Sequence, residues 1–144
     1  MTDPKQLAGR FVEAFNAHDE KALLALDTSD STLTAPGGAT MHGAQASSGY
    51  AVAWLNAFPD ARLVIRNEII AGDTIVQELT FKGTHTATLR APTGDIPATN
   101  RPLSARAAQI FKVRDGLIAD TQLYFDQVDV LTQLGLMPAL AAAH

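Results

Sequence analysis

The sequence of 144 residues contains no cysteine, few charged side chains and no long apolar run. The lack of cysteine excludes disulfides, thiolate chemistry and any zinc site that needs sulfur ligands. Only 18% of the residues are charged and the net charge is −4, so the electrostatics do not favour a nucleic acid partner. The N-terminal segment MTDPKQLAGR lacks the apolar stretch of a signal peptide, and no segment approaches the roughly 20 apolar residues of a membrane span. We therefore expect a soluble, cytoplasmic protein that does not bind membranes.

Several catalytic motifs are also missing. The chain has no GxSxG nucleophile motif, no Walker-type glycine loop and no dinucleotide-binding fingerprint. Its histidines, at positions 18, 42, 85 and 144, include no pair at the spacing of metal ligands. We therefore expect no metal and no cofactor.

The composition is that of a globular protein, and the first third of the chain is helical. Apolar residues make up 47% of the sequence, and the length predicts one domain over residues 1–144. Asp3, followed by a proline, is the predicted N-cap of the first helix. Asp19 is the predicted cap of a second helix through KALLALDT. A third helix is predicted from about Ala44 to Ala57, with a proline two residues beyond its end.

From Ala61 onwards the apolar period changes to two, which is typical of strands. RLVIRNEII is followed by a long strand with Gln77 and His85 on its more apolar face, and then by the loop APTGDIPATNRP. LSARAAQIFKV and LIADTQLYF form a hairpin around Asp115-Gly116. These patterns predict an α+β fold in which three N-terminal helices pack on a strongly curved antiparallel sheet, a cone-shaped α+β barrel, with a short C-terminal helix.

Two interpretations of Asp126 are open, because it lies between the last strand and the last helix. As an N-cap it would accept hydrogen bonds from the first helical N–H groups, and Gly135 would end the helix. Alternatively, one strand face carries the mostly polar row Ile118, Asp120, Gln122, Tyr124 and Asp126. If that face lines a cavity, Asp126 is a partly desolvated carboxylate that can accept a proton.

The order of several short segments resembles the SnoaL-like polyketide cyclases, which belong to the same superfamily as nuclear transport factor and ketosteroid isomerase. The resemblance extends from about Leu7 to Met137. The segments that carry it are FPD (58–60), AGD (71–73), GTH (83–85), PATNR (97–101), DGLI (115–118) and DQVDVLTQLG (126–135).

The resemblance implies a function without a cofactor. The acid/base aspartate of the family precedes the terminal helix, and this position falls on Asp126. The implied reaction is an intramolecular aldol cyclisation, in which Asp126 removes a proton from an activated carbon and the enolate attacks a carbonyl of the same molecule. Gln122 stands where a tryptophan is common in the family.

The same resemblance argues against two related activities. In ketosteroid isomerase a tyrosine of the first helix polarises the substrate, and Phe11 stands at that place. The isomerase's catalytic aspartate falls on Ala35. The Arg-x-Asp of limonene-type epoxide hydrolases falls on Arg106 and Ala108, so its aspartate is missing too.

His85 is the second candidate catalytic residue, because it could share a proton with Asp126; the alternative is a core histidine satisfied by the backbone. A cavity between helices and sheet would be lined by aromatic side chains and by amides on apolar faces. The predicted substrate-binding residues are Phe11, Phe15, Trp54, Phe58, Gln77, Gln109, Gln122 and Tyr124.

These observations predict an acid/base enzyme that acts on an apolar cyclic carbonyl compound in a conical pocket. The alternative is a non-catalytic small-molecule-binding or dimerisation module of the same fold. The apolar strand face opposite Asp126 favours a homodimer or higher homo-oligomer in either case.

Overall fold

The computed structural model describes residues 3–92 and 94–137, which form four helices and eight strands. In chain order these are α1 (Pro4–Asn16), α2 (Glu20–Ala25), β1 (Asp27–Thr34), β2 (Thr40–His42), α3 (Ala44–Ala57), β3 (Arg62–Ala71), β4 (Thr74–Thr84), β5 (Leu89–Ala91), β6 (Gly94–Ile96), β7 (Pro102–Arg114), β8 (Leu117–Phe125) and α4 (Gln127–Gln133). Within the described ranges, no helix is both long and apolar enough to cross a membrane.

The three predicted N-terminal helices and the first two caps are confirmed. The Asp3 carboxylate accepts a hydrogen bond from the Gln6 backbone N–H at 2.8 Å, and the Asp19 carboxylate accepts one from the Ala22 N–H at 3.0 Å. The predicted extent of the second helix is wrong, because α2 stops earlier and Asp27 begins a strand. The Ile118 N–H donates to the carbonyl just before Asp27, so pairing with β8 ends the helix there.

The six-stranded sheet has the order β2-β1-β8-β7-β4-β3 and curves around the helices. Its pairs are antiparallel except for β1 and β8, which run parallel, so the wholly antiparallel sheet predicted from the sequence is wrong at this pair. Register shifts interrupt the ladders between Ile65 and Asn67, between Lys112 and Val113, and near the start of β1. Such irregularities bend strands and increase their twist, and they give the sheet its concave face.

The long strand predicted through His85 to Leu89 ends sooner, at Thr84. The His85 N–H still donates to the Arg101 carbonyl at 3.0 Å, but the next two N–H groups donate to the Ala57 carbonyl at the end of α3. The chain therefore leaves the sheet at this point. Part of the predicted loop beyond it forms the small β5–β6 hairpin.

The concave face of the sheet packs against α1 and α3. Residues directly opposite each other on neighbouring strands point to the same face of the sheet. Leu79 of β4 and Ala107 of β7 are such a pair, and both point to the concave face. On β8 the concave side carries Leu123 and Phe125, the apolar strand face from which a dimer was predicted. Because that face lines the cavity, it is not an exposed surface that a second copy would have to cover. The homodimer stays a prediction, and the apolar face of β8 no longer supports it.

Gly83 is the position on β4 where a side chain has no room. A Cβ built there would lie 3.1 Å from the Phe58 Cβ and 3.3 Å from the Ala61 Cα. We expect Gly83→Ala to lower the free energy of unfolding by about 1–3 kcal/mol through overpacking, measured by urea titration.

Gly9→Ala is the matched control for Gly83→Ala. Gly9 lies within α1, and a Cβ there would meet nothing within 4 Å. Alanine is the better helix former, so we expect this variant to gain about 0.5–1 kcal/mol. Equal effects of the two substitutions would contradict the close approach of Phe58 to β4.

Candidate active site

A partly open cavity of about 100 Å³ lies between the concave face of the sheet and helices α1 and α3. Aromatic side chains form much of its wall. Trp54 is central, with its ring edge-to-face on Phe81 at 5.4 Å and on Phe125 at 5.6 Å. The other lining residues include Phe11, Phe15, Leu23, Leu33, Leu63, Leu79, Leu103, Phe111, Ile118 and Leu123. The cavity therefore suits a small, mainly apolar ligand.

Asp27 is the acidic side chain in this apolar wall. It begins β1, where it pairs with Ile118 before the register of the two strands shifts. Burial raises the pKa of the Asp27 carboxyl to about 7. The Ser31 hydroxyl lowers this pKa by a smaller amount, although its Oγ makes no hydrogen bond of ordinary geometry within the described chain. The effect of burial is the larger one, so Asp27 is a carboxyl that can exchange a proton near neutral pH.

Hydroxyl groups from α3 and β8 add a polar part to the wall. Ser47, Ser48, Tyr50 and Thr121 line the cavity with Asp27. Burial raises the pKa of the Tyr50 phenol, so this hydroxyl stays protonated at neutral pH and can donate a hydrogen bond.

Three polar side chains form a hydrogen-bonded row across β3, β4 and β7. The Gln109 Nε2 donates to the Gln77 Oε1 at 2.9 Å, and the Gln77 Nε2 donates to the Glu68 Oε2 at 2.9 Å. The Gln77 Nε2 also lies 3.4 Å from the Ala8 carbonyl. Gln109 lines the cavity, and Gln77 is wholly buried behind it.

The structure places Asp126 at the N-cap of α4, exposed to solvent. Its Oδ1 accepts a hydrogen bond from the Asp129 N–H at 3.1 Å, which confirms the capping interpretation. The strand face of Asp126 does not line the cavity: Gln122 bonds to Asp120 on this face, and Tyr124 is 56% exposed. The prediction that this row looks into a pocket is wrong from Asp120 onwards: Ile118 lines the cavity, but the register shifts after it and the cavity then receives the opposite face of β8. The catalytic role of Asp126 stays a prediction.

His85 is wholly buried but stands apart from the residues that line the cavity. Its ring stacks on Phe58 at 5.0 Å, and its Nδ1 lies 3.0 Å from the Thr99 hydroxyl and accepts from the Thr99 N–H at 3.3 Å. Burial lowers the pKa of this imidazole. These contacts favour the interpretation of His85 as a core histidine. Its hydrogen bonds, however, are to the hydroxyl and the N–H of Thr99 rather than to the backbone alone. The His85 Nε2 has no hydrogen-bond partner of ordinary geometry within residues 3–92 and 94–137.

The predicted substrate-binding residues divide into two groups. Those that line the cavity are Phe11, Phe15, Trp54 and Gln109, and those that do not are Phe58, Gln77, Gln122 and Tyr124. Phe58 is a core residue stacked between Trp54 and the His85 ring. Gln77 reaches the cavity only through Gln109.

Sequence reasoning missed Asp27 and Tyr50. The helical period assigned Asp27 to the second helix, whereas Asp27 begins β1, the strand that also carries the cavity-lining Leu33. Tyr50 had a visible signal, because it precedes Trp54 by four residues and so lies on the same helix face. In the described part of the chain, no three histidine or acidic side chains lie together as metal ligands would; the expected lack of a metal stays a prediction.

The fold is that of the ketosteroid-isomerase-like proteins. Residues 8–121 match the family model described as SnoaL-like domain. The chain belongs to this family, and the resemblance found in the sequence is confirmed. Among proteins with curated descriptions, none matches the sequence significantly.

Solved structures with the same fold come from several bacteria. IdmH of Streptomyces antibioticus, provisionally assigned as a polyketide cyclase, is 25% identical over 92% of this chain and 99% of its own, with a TM-score of 0.75. A provisionally assigned SnoaL-like polyketide cyclase from Jannaschia is 14% identical over 96% and 99%, with a TM-score of 0.80. A protein from Catenulispora acidiphila, solved with trimethylamine, is 24% identical over 95% and 96%, with a TM-score of 0.74.

Removal of the Asp126 carboxylate tests its capping role. We expect Asp126→Ala to lower the free energy of unfolding by about 0.5–2 kcal/mol, because the N-terminus of α4 loses its side-chain acceptor. Asp126→Asn keeps an acceptor at the same place and should cost much less. Urea titration of both variants measures this, and equal losses would show that the charge rather than the cap matters.

The dependence of stability on pH tests the raised pKa of Asp27. Between its ordinary value of 3.8 and the folded-state value of about 7, the native state holds a proton that the unfolded chain has released. Stability therefore falls as the pH rises through this window. We expect the free energy of unfolding to fall more between about pH 4 and pH 8 in the wild type than in Asp27→Asn. A constant difference between the two proteins would contradict the raised pKa.

Proposed function

We propose that the protein is an acid/base enzyme that removes a proton from a carbon next to a carbonyl group, with Asp27 as the base. The observation that carries this proposal is the carboxyl of Asp27 in an apolar cavity, with its pKa raised by burial to about 7. A base whose pKa lies near the working pH combines a useful ionised fraction with strong basicity. No cofactor is required for this step.

The other polar groups of the wall suit the rest of the reaction. When Asp27 takes the proton, the electrons of the C–H bond move to the carbonyl oxygen and form an enolate. The Tyr50 hydroxyl, which burial keeps protonated, is the proposed donor to this oxygen. The enolate carbon then attacks a second carbonyl of the same molecule, a carbon–carbon bond forms, and the proton held by Asp27 passes to the new alkoxide. This is the aldol cyclisation that the family resemblance implies.

The size of the cavity favours a small substrate. Its volume of about 100 Å³ is of the same order as the ~150 Å³ of an enclosed cavity that accepts benzene, it is partly open, and it is well below the ~300–1,000 Å³ of pockets for drug-sized molecules. We therefore propose a substrate of about one ring, or a short chain that closes to one ring. A compound of several fused rings would require the helices to move away from the sheet.

Exchange of carbon-bound hydrogen in D2O tests the proposal without knowledge of the natural substrate. A panel of small cyclic ketones and 1,3-dicarbonyl compounds is incubated with the protein, and loss of the α-proton signal is followed by NMR. We expect exchange that is faster than in buffer and that rises with pH to a plateau above about 7, as Asp27 ionises. Asp27→Asn should lose about a hundredfold or more in rate, since general base catalysis contributes about 10²–10⁴-fold.

Asp126→Asn is the matched control for Asp27→Asn, because it makes the same change at the other candidate acid. It should retain the wild-type exchange rate and pH profile. Loss of exchange in Asp126→Asn, with activity kept in Asp27→Asn, would instead assign the base to Asp126. Ligand-induced chemical-shift changes in the cavity without any exchange would favour the binding module, which the apolar wall of the cavity supports as the second candidate.

A further inference from the structure

The row of Glu68, Gln77 and Gln109 is built by the register of the sheet. Gln77 on β4 faces Glu68 of β3 on one side and Gln109 of β7 on the other. The register shift in β3 is essential to this, because Ile65 faces Leu79 and an uninterrupted ladder would bring Asn67 opposite Gln77. The extra residue brings a carboxylate to that place instead of an amide.

The carboxylate fixes the orientation of both amides. A carboxylate only accepts hydrogen bonds, so Gln77 has to present its Nε2 to Glu68. The Ala8 carbonyl, 3.4 Å from the same Nε2, is another acceptor and favours the same orientation. The Gln77 Oε1 then points to Gln109 and requires a donor there, which the Gln109 Nε2 supplies.

The Gln109 Oε1 is left for the cavity. Gln109 lines the cavity, and this oxygen makes no hydrogen bond to any residue within the described ranges. Within the described ranges, the polar side-chain atoms that are both fully enclosed and without a partner are the Ser31 Oγ and the His85 Nε2. The Gln109 Oε1 is therefore not fully enclosed by the protein. An acceptor at the wall of an apolar cavity stays unpaired unless the ligand supplies a donor, and an unpaired acceptor weakens binding.

We propose that Gln109 selects ligands that donate a hydrogen bond, through a hydroxyl or N–H group, and that Glu68 is the positioning residue that holds the Gln109 carbonyl toward the cavity. The inference rests on the ligand-binding cavity of the proposed function. It narrows the substrate class to small carbonyl compounds that also carry a hydroxyl or N–H group.

Binding of phenol and toluene, two molecules of similar shape, tests the selection. Dissociation constants are measured by NMR titration of the ¹⁵N-labelled wild type. We expect phenol to bind about tenfold more tightly than toluene, since an unpaired buried acceptor costs about one factor of ten or more in affinity. Equal affinities in the wild type would overturn the proposal without the need for any variant.

Two variants then assign the preference to the row. Gln109→Leu removes this acceptor and should lower the phenol-to-toluene ratio of affinities severalfold. Glu68→Gln replaces the carboxylate by an amide that can donate or accept, so Gln77 and Gln109 are free to turn and the ratio should fall. An unchanged ratio in Glu68→Gln would contradict its positioning role. If Gln109→Leu does not fold, Glu68→Gln still decides, because Glu68 is only half-buried.

Glu78→Gln is the matched control for Glu68→Gln. Glu78 neighbours Gln77 on β4 but points to the other face of the sheet, where it accepts from Asn67 at 3.0 Å. The same loss of charge there should leave the ratio unchanged. Binding and α-proton exchange are separate measurements. A preference for phenol over toluene without α-proton exchange refutes the proposed enzyme alone. Exchange without a preference for phenol refutes the proposed selection of hydrogen-bond donors alone.

Discussion

The register of β4 between β3 and β7 is the constraint on which the rest of the structure depends. It runs without interruption from Thr74 opposite Lys112 to Thr84 opposite Pro102 on the β7 side. Because side chains alternate between the two faces of a strand, this register decides which residues of three strands meet the helices. A slip by one residue would turn Leu79 and Phe81 outward and bring Glu78 into the core. The cavity and the polar row exist only in the register that is observed.

The apolar core and the candidate site make opposite demands on stability. The aromatic and aliphatic wall gains free energy by burial, whereas a carboxyl such as Asp27 and a row of amides lose hydration when they are enclosed. The amides recover much of this loss by bonding to one another and to Glu68. Asp27 recovers less of it, and its pKa is raised to about 7. A buried acid that is incompletely compensated is the kind of feature that catalysis requires and that folding alone would not favour.

Much of the fold could be predicted from the sequence, because local signals and tertiary structure agree. The caps at Asp3 and Asp19 and the helix from Ala44 to Ala57 follow from side-chain chemistry within a few residues. The start of β1 could not be predicted in this way. It is decided by pairing with Ile118, which is distant in sequence, and KALLALDT has the apolar spacing of a helix.

The candidate site was less predictable than the fold for a related reason. Alternation in β8 divides its residues into two faces but does not say which face is internal. The more apolar face lines the cavity, and the polar face with Gln122 and Tyr124 is on the outside. The strand faces on which Gln77 and Gln109 lie were predictable, since each amide interrupts an otherwise apolar face. Their hydrogen bonds depend on the extra residue in β3, for which the sequence carries no clear signal.

The position of the tryptophan gives this protein a built-in optical probe. Trp54 is the single tryptophan of the chain, and it lies in the wall of the cavity against the rings of Phe58, Phe81 and Phe125. Its fluorescence therefore originates at one known place, without background from a second indole. Entry of a ligand, ionisation in the wall and loss of the aromatic packing all alter the surroundings of the same emitter, so occupancy and folding can be followed in the unlabelled wild-type chain.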